Sequence, residues 1–485
     1  MARSGVWHGG VVAVLALAVQ AWWLWQLGPV LPPDSGSFIA AARELAGPGG
    51  GLLGPGRLHE AALPWSFYRA PLYPLLILLH EALWGAFWAW GLVGTQLLLA
   101  GAATLAFHRA LLAITQHRGL SLLGSLAQAG SFALVVHPAI LSDSLYGSLL
   151  CLALALLLQG GMAGGVGLGT AFAAGLLLGL ATLLREVGAY LNLLWIPLAL
   201  VALRPGALNR AAGLVVFAAP MLAAPLALLA WNAARAGSPF LTTVGQVVYF
   251  QALLPLAARG VAVFATDPVL AQAAGLAFPP FTNVEVVALN HHLFQPHALE
   301  APALARLASA TWRHAWAEHP WRMAGAAASR IKAHYLFTPF IPLENFALVP
   351  LWTEGSPRLL ARFDRLTRAA LAGADAATVA LWLLAALSRA AGLALSAAFL
   401  ATPVVAARAW GQAPGAKLAL ACWPILPATL GLHALVHLEI RYFVPAMPAL
   451  LAAATWTFAR APGLSGRAGK WFLARKPRTP QGNAP

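Results

Sequence analysis

The sequence predicts an all-α polytopic membrane protein with about ten transmembrane helices, surface helices in its first outer loop and one large outer domain. Three observations carry that expectation. Hydrophobic residues fill 60% of the 485 positions and charged residues only 9%, which no water-soluble globule of this length could bury. Apolar runs of the roughly 17–25 residues needed to cross the hydrocarbon core recur along the chain. Basic residues gather in alternate short loops, as the positive-inside bias requires.

The first run, Val6–Leu27, ends in Trp22, Trp23 and Trp25 rather than in a small-residue cleavage site, so it reads as a retained anchor. Pro32 and Pro33 close it, and Asp34 follows at once. The stretch "PLYPLLILLHEALWG", Pro71–Gly85, is short for a span and carries His80 and Glu81 near its end. A buried charge of that kind costs about 2.5–3.5 kcal/mol on insertion scales. Counting it as a span would also place Arg118 outside, so it reads as a helix on the outer surface. The remaining candidate spans are Phe87–Phe107, Leu120–His137, Leu145–Gln159, Val166–Leu184, Ala189–Leu203, Ala211–Ala230, Ala376–Val404, Leu418–Ala434 and Phe443–Phe458.

With a cytoplasmic N-terminus, the inside loops hold Arg3, His117 with Arg118, Arg204 with Arg210, Arg408 with Lys417, and the tail "RKPRTP". The expected organisation is a transmembrane core over 1–230 with the first and second outer loops, an outer, periplasmic cap over 231–375, and C-terminal spans with a basic cytoplasmic tail over 376–485. The cap contains "NHHLFQPH", "WRHAWAEHPWR" and "PRLLARFDRLTR" and is too charged for lipid. Location in the cytoplasmic (inner) membrane, with both termini inside, follows from the same loops.

The net charge of +15, from 30 Lys and Arg against 15 acids, sits in loops and tail. It speaks for membrane sidedness and anionic lipid rather than nucleic acid. Cys151 and Cys422, the only cysteines, lie in apolar runs and offer neither a disulfide framework nor metal-ligand spacing. His291, His292 and His297 lack a helical ligand pattern. No cofactor is called for, and ligand spacing does not support a divalent metal.

The chemistry concentrates at the outer helix ends. Asp34, Arg69, Asp143, Arg185 with Glu186, and His437 with Glu439 and Arg441 all fall there on this topology. Any one of them could be an ordinary interfacial charge. As a group they are unusual, because outer loops should be poor in arginine, yet these arginines stand beside acids. The planar guanidinium fork suits a phosphate or pyrophosphate group. Asp34 also has a bland reading as the N-cap of the helix that "SGSFIAAARELA" predicts.

These stretches resemble the GT-C superfamily of polyprenyl-phosphate-sugar-dependent glycosyltransferases, in the branch related to protein mannosyltransferases and lipid A aminoarabinose transferases. "DSGSFIAAARELAG" is similar to the first outer-loop motif and "YRAPLYPLLI" to the stretch that closes that loop, with Tyr73 inside it. "HPAILSDSLYGSLLCLALAL" looks like the second acidic motif. "LATLLREVGAYL" and "HLEIRYFVPAMPALLAAA" resemble the later arginine-bearing motifs, and "WNAARAGSPFLTTVGQ" the entry to the outer domain. Phe38 stands where that family usually has Tyr, and Asp143 lacks the paired acid that binds metal in the oligosaccharyltransferase branch.

The resemblance implies that Asp34 is the general base of an inverting transfer, with Asp143 as the second catalytic carboxylate. It implies that Arg69, Arg185, Arg441 and Tyr442 hold the lipid phosphate of the donor, supported by Glu186, His437, Glu439 and Tyr73. Asp143, Glu186 and Glu439 would orient acceptor hydroxyls or fix the arginines. The implied partners are a polyprenyl-phosphate sugar, membrane lipid, and a glycan, lipid or protein acceptor. A lipid-linked sugar transporter or flippase is the main rival, but neither an internal repeat nor a midspan acid pair is evident. An outer-face polysaccharide polymerase or ligase would place its key residues in the large loop instead.

Overall fold

Lipid offers the backbone no hydrogen-bond partners, so a chain that enters it must satisfy its own amides within helices. The computed structural model describes residues 2–32, 34–47, 65–130, 136–257, 259–264, 301–335, 372–373, 376–413, 415–438 and 440–461. About 81% is helical and no strand forms among the described residues. The helices are α1 (Ala2–Leu27), α2 (Ser35–Ala46), α3 (Trp65–Tyr68), α4 (Leu72–Trp84), α5 (Trp88–Thr115), α6 (Arg118–Ala129), α7 (Ser142–Met162) and α8 (Leu168–Leu184). They continue as α9 (Ile196–Ala202), α10 (Ala207–Ala236), α11 (Val244–Ala257), α12 (Ala301–Glu318), α13 (Pro320–Tyr335), α14 (Ala376–Arg408), α15 (Ala416–Cys422), α16 (Ile425–Val436) and α17 (Met447–Ala459).

Among the described residues five helical stretches are long and apolar enough to cross a membrane: Leu72–Thr115, Ser142–Met162, Ala207–Ala236, Ala390–Arg408 and Ala416–Val436. Gly9–Trp22, Leu168–Leu184, Gly188–Ala202, Val248–Ala257 and Met447–Ala459 are shorter apolar helices. Several differ from the expected spans for local reasons. Pro424 divides Leu418–Ala434 into α15 and α16. The expected span Leu120–His137 is represented by α6, whose inner face carries the polar Ser121, Ser125 and Gln128; residues 131–135 lie outside the described set. Most of the expected 231–375 cap lies outside it too. The Leu72–Thr115 stretch is two helices, because Gly85 turns the chain at φ 53°, a conformation that glycine adopts freely. α4 then lies against α5, with Tyr73 Oη donating to Gln96 Oε1 at 2.7 Å and His80 bonded to Thr95 at 2.9 Å.

The centre of the bundle is α7, buried on nearly every face between α5 and α8. α8 and α10 make the closest approach. Gly175 and Gly179, spaced i and i+4, turn toward α10, where a β-carbon on Gly175 would collide with the Phe217 carbonyl oxygen and one on Gly179 would stand 2.5 Å from that of Pro220. Large apolar side chains such as Leu98, Phe172, Leu226 and Leu393 remain exposed on the outside, a surface compatible with lipid.

The two ends of the bundle differ. At one, Val166 bridges Leu203 and Gly415 approaches the Ile114 carbonyl, which brings together the loops bearing Arg118, Arg204 and Lys417. At the other end, α11, α12 and α13 form a small second core around Phe250, Leu253, Ala308, Ala315 and Met323. Side-chain donors fasten these helices to α16. Arg330 donates to Ala434 O at 2.8 Å and Ala252 O at 2.9 Å, and Trp312 Nε1 donates to Leu435 O at 3.2 Å. Burial pushes the Arg330 pKa down from its ordinary value.

Helix propensity favours alanine over glycine by about 1 kcal/mol, so Gly169→Ala, with nothing within 4 Å of its β-carbon, should leave the Tm of the detergent-solubilised protein equal or higher. Gly175→Ala in the same helix should lower it, by overpacking of about 1–3 kcal/mol. Equal shifts for the two variants in a thermal melt would mean that α8 and α10 are not in backbone contact.

Candidate functional site

Asp34 and Asp143 are separated by more than a hundred residues, yet their segments are sewn together. Val30 N donates to Pro138 O at 3.0 Å, Ile140 N returns to Val30 O at 2.9 Å, and Ser35 Oγ donates to Ile140 O at 2.9 Å. Gln96 supports the second segment from below, its amide donating to the carbonyls of His137 and Ala139 at 2.7 and 2.9 Å. Tyr73 is fully buried and acts on this loop through its bond to Gln96, while its ring meets Phe38 edge-on at 5.0 Å.

Asp34 precedes α2 but makes no side-chain capping bond. The backbone carbonyl of Asp34 instead receives Ser37 Oγ at 2.6 Å, and its carboxylate faces Arg69, with Nη2 to Oδ1 at 3.4 Å. Arg69 is held from three sides: Nε donates to Ser37 Oγ at 2.8 Å, and the guanidinium lies over the rings of Phe38 at 4.5 Å and Tyr68 at 4.9 Å. Phe38 therefore contributes its ring face rather than a hydroxyl.

A second arginine–carboxylate pair stands beside the first. Arg185 ends α8 in extended conformation and pairs through Nη1 with Asp143 Oδ1. Asp143 occupies the first turn of α7, where the helix dipole favours a negative charge, and only 4% of its side chain is exposed. The Arg185 guanidinium also lies 5.2 Å from the centroid of the Tyr442 ring. Tyr442 stacks on His433 at 4.4 Å and meets the edge of His437 at 5.9 Å.

These groups line one cavity of about 830 Å³ at the end of the bundle away from the Arg118, Arg204 and Lys417 loops. Asp34, Arg69, Arg185, Glu186, His437 and Tyr442 all reach it, so six of the residues singled out in the sequence come together. Asp143 stands behind Arg185, and Tyr73 stands behind Phe38. Arg441 contributes backbone to the 3₁₀ turn Ile440–Phe443, but its side chain lies outside the described residues, as do Glu439, His291, His292 and His297. Among the described residues no three His, Cys, Asp or Glu side chains stand together as a metal site.

The cavity also contains residues that the motifs did not mark. His433 precedes His437 by one helical turn, a spacing that could have flagged it. Tyr249 and Trp312 come from α11 and α12, whose several aromatic residues give no sign of which faces inward. Pro225 and Leu229 of α10, with Leu432 and Val436 of α16, supply an apolar side. The arrangement can therefore neutralise an anion with guanidinium groups, accept a proton at a carboxylate, and shelter an alkyl chain next to both.

No family model, curated protein or solved structure matches this chain. The class defined by fold and site is a helical bundle, with helices able to cross a membrane, that brings two paired arginines and the carboxylate of Asp34 to one cavity at its end, with Asp143 buried behind Arg185.

Asp143 is buried and Arg185 half-buried against it, so removing one partner strands the other. Asp143→Ala should cost about 3–5 kcal/mol in unfolding free energy. The double variant Asp143→Ala with Arg185→Ala should recover a substantial part of that loss in denaturant or thermal titrations. Strict additivity of the two single losses would show that the groups do not interact.

Proposed function

We propose that this protein is an integral-membrane glycosyltransferase that moves a sugar from a polyprenyl-phosphate donor to an acceptor on the outer face of the cytoplasmic membrane. The observation that carries the reading is the convergence of Asp34–Arg69 and Arg185–Asp143 on one cavity that also has an apolar side. A polyprenyl phosphate demands that combination, since its head is anionic and its tail remains in lipid. The order of the sequence motifs supports the same reading, as does the separation between the cavity and the loops of Arg118, Arg204 and Lys417.

In this mechanism the acceptor hydroxyl attacks the anomeric carbon from the face opposite the phosphate, and Asp34 takes its proton. The bond between the anomeric carbon and the phosphate oxygen breaks, its electron pair leaves with the phosphate, and the configuration inverts. Arg69 and Arg185, with Arg441, balance the charge that develops on the departing phosphate. Tyr442 holds Arg185 at its ring face, and Asp143 fixes the same guanidinium from the bundle side. Glu186 and His437 face the cavity as hydrogen-bonding groups for substrate hydroxyls.

A radiolabelled panel of polyprenyl-phosphate sugars, offered to the purified protein with membrane extract as acceptor, should yield labelled product and free lipid phosphate. Label moved across a vesicle bilayer with its phosphoester intact would identify a flippase instead. Asp34→Asn keeps the size and polarity of the side chain but cannot take a proton. It should preserve folding and donor binding while lowering turnover by about 10²–10⁴-fold; near-normal turnover in a folded variant would remove Asp34 from the base role.

Sidedness has its own test. Cys151 and Cys422 are buried and give little background, so Ser309→Cys, at the cavity wall, should react with an impermeant thiol reagent added outside intact spheroplasts. Reaction only after permeabilisation would turn the cavity to the cytoplasm.

A further inference from the structure

One wall of the cavity is used by neither the phosphate-binding nor the proton-accepting groups. Trp312 and Ser309 come to it from α12, Tyr249 and Gln251 from α11, and Glu186 and Tyr190 from the segment after α8. The rings of Tyr249 and Trp312 pack against each other, their centroids 5.3 Å apart at 49°, and present a continuous aromatic platform to the cavity. Trp312 is held in that orientation by its indole bond to Leu435 O and by the edge of Trp316 at 6.1 Å. Tyr190 lies within electrostatic reach of both Tyr249 and Glu186, so the phenols and the carboxylate border the same space.

The chemistry of this wall is selective. Flat aromatic faces suit the C–H face of a sugar ring, which is apolar and needs no hydrogen bonds. The rim of such a ring carries hydroxyls that both donate and accept. Glu186 offers acceptor oxygens, while Ser309, Tyr190, Tyr249 and Gln251 can serve in both senses. The single charged side chain on the wall is negative, so a phosphate or carboxylate placed there would lose water beside a like charge. A bare alkyl chain would leave the polar groups unmatched.

We propose that this wall is the acceptor subsite and that the acceptor is a neutral glycan, its ring stacked on the Tyr249–Trp312 platform and its hydroxyls turned to Glu186 and Ser309. The proposal deepens the transferase reading and rests on it for the word acceptor. A free oligosaccharide and the headgroup of a neutral glycolipid present the same chemistry to the platform.

The test uses the full-length protein in lipid nanodiscs and saturation-transfer NMR. Maltotetraose, cellotetraose and mannotetraose serve as soluble neutral probes, digalactosyldiacylglycerol in the disc as the lipid-borne one, tetragalacturonate as the anionic control, and a serine- and threonine-containing nonapeptide as the protein-type alternative. Undecaprenyl phosphate binding is measured separately. At least one neutral glycan should bind with one ring face saturated most strongly, and whether that is a soluble probe or the glycolipid tells which source applies. Trp312→Ala and Tyr249→Leu should each weaken it about tenfold or more, the second variant keeping apolar volume at the site, with undecaprenyl phosphate binding unchanged. Tighter binding of tetragalacturonate or the peptide than of every neutral glycan would overturn the proposal, as would no neutral binding at all or glycan binding indifferent to Tyr249→Leu. Glycan binding that responds to these variants, in a protein that does not bind undecaprenyl phosphate, would support the sugar subsite while sinking the transferase reading.

Discussion

A backbone surrounded by lipid must make all of its hydrogen bonds within itself, and that constraint shapes everything else in this protein. It turns the chain into helices and drives irregular backbone, with its unused carbonyls and amides, to their ends. The carbonyls of Ala434 and Leu435 at the end of α16 are bound by Arg330 and Trp312. The exchange between Val30 and the segment of Pro138–Ile140 joins two such ends. Side chains with chemistry to offer are carried to the same places, because a charge at a helix terminus is cheaper than one at midspan.

Charge placed there still has to be compensated. The arginines paired with Asp34 and Asp143 are each held by more than one group, Arg69 by Asp34, Ser37 and two rings, and Arg185 by Asp143 and Tyr442. The side chains lose little freedom when an anion arrives, since their rotamers are already fixed. The same fixation separates the roles of the two acids. Asp143 is nearly inaccessible behind Arg185, while a quarter of the Asp34 side chain remains exposed at the cavity. Of the two, only Asp34 is open to the cavity.

The packed helices α11, α12 and α13 close an open bundle end into a cavity. Their attachment runs mainly through α16, the helix that ends in the cavity wall at Leu432, His433 and Val436. α13 thus fixes the histidines through Ala434 without itself lining the cavity. Tyr249 and Trp312 reach the cavity by the same docking.

The sequence alone determined the class of fold, because composition and apolar run length are set by the solvent a chain must meet. It determined which loops share an end, through the placement of arginine, and it marked Asp34, Arg69, Arg185 and Tyr442 through motifs at helix boundaries. It placed the break at Gly85, between Pro71–Gly85 and Phe87–Phe107, but not the one at Pro424, which divides a stretch of continuous apolar composition because proline lacks the amide that would continue the helix. Nor did it separate Asp34 as a helix cap from Asp34 as the partner of Arg69, because the choice depends on a side chain 35 residues away. The aromatic pair was silent for the same reason. Tyr249 belongs to a helix that is apolar on every side and Trp312 to an amphipathic one, ordinary settings until tertiary packing brings α11 and α12 together over α16, and contacts between distant segments leave no periodic signature in the chain that makes them.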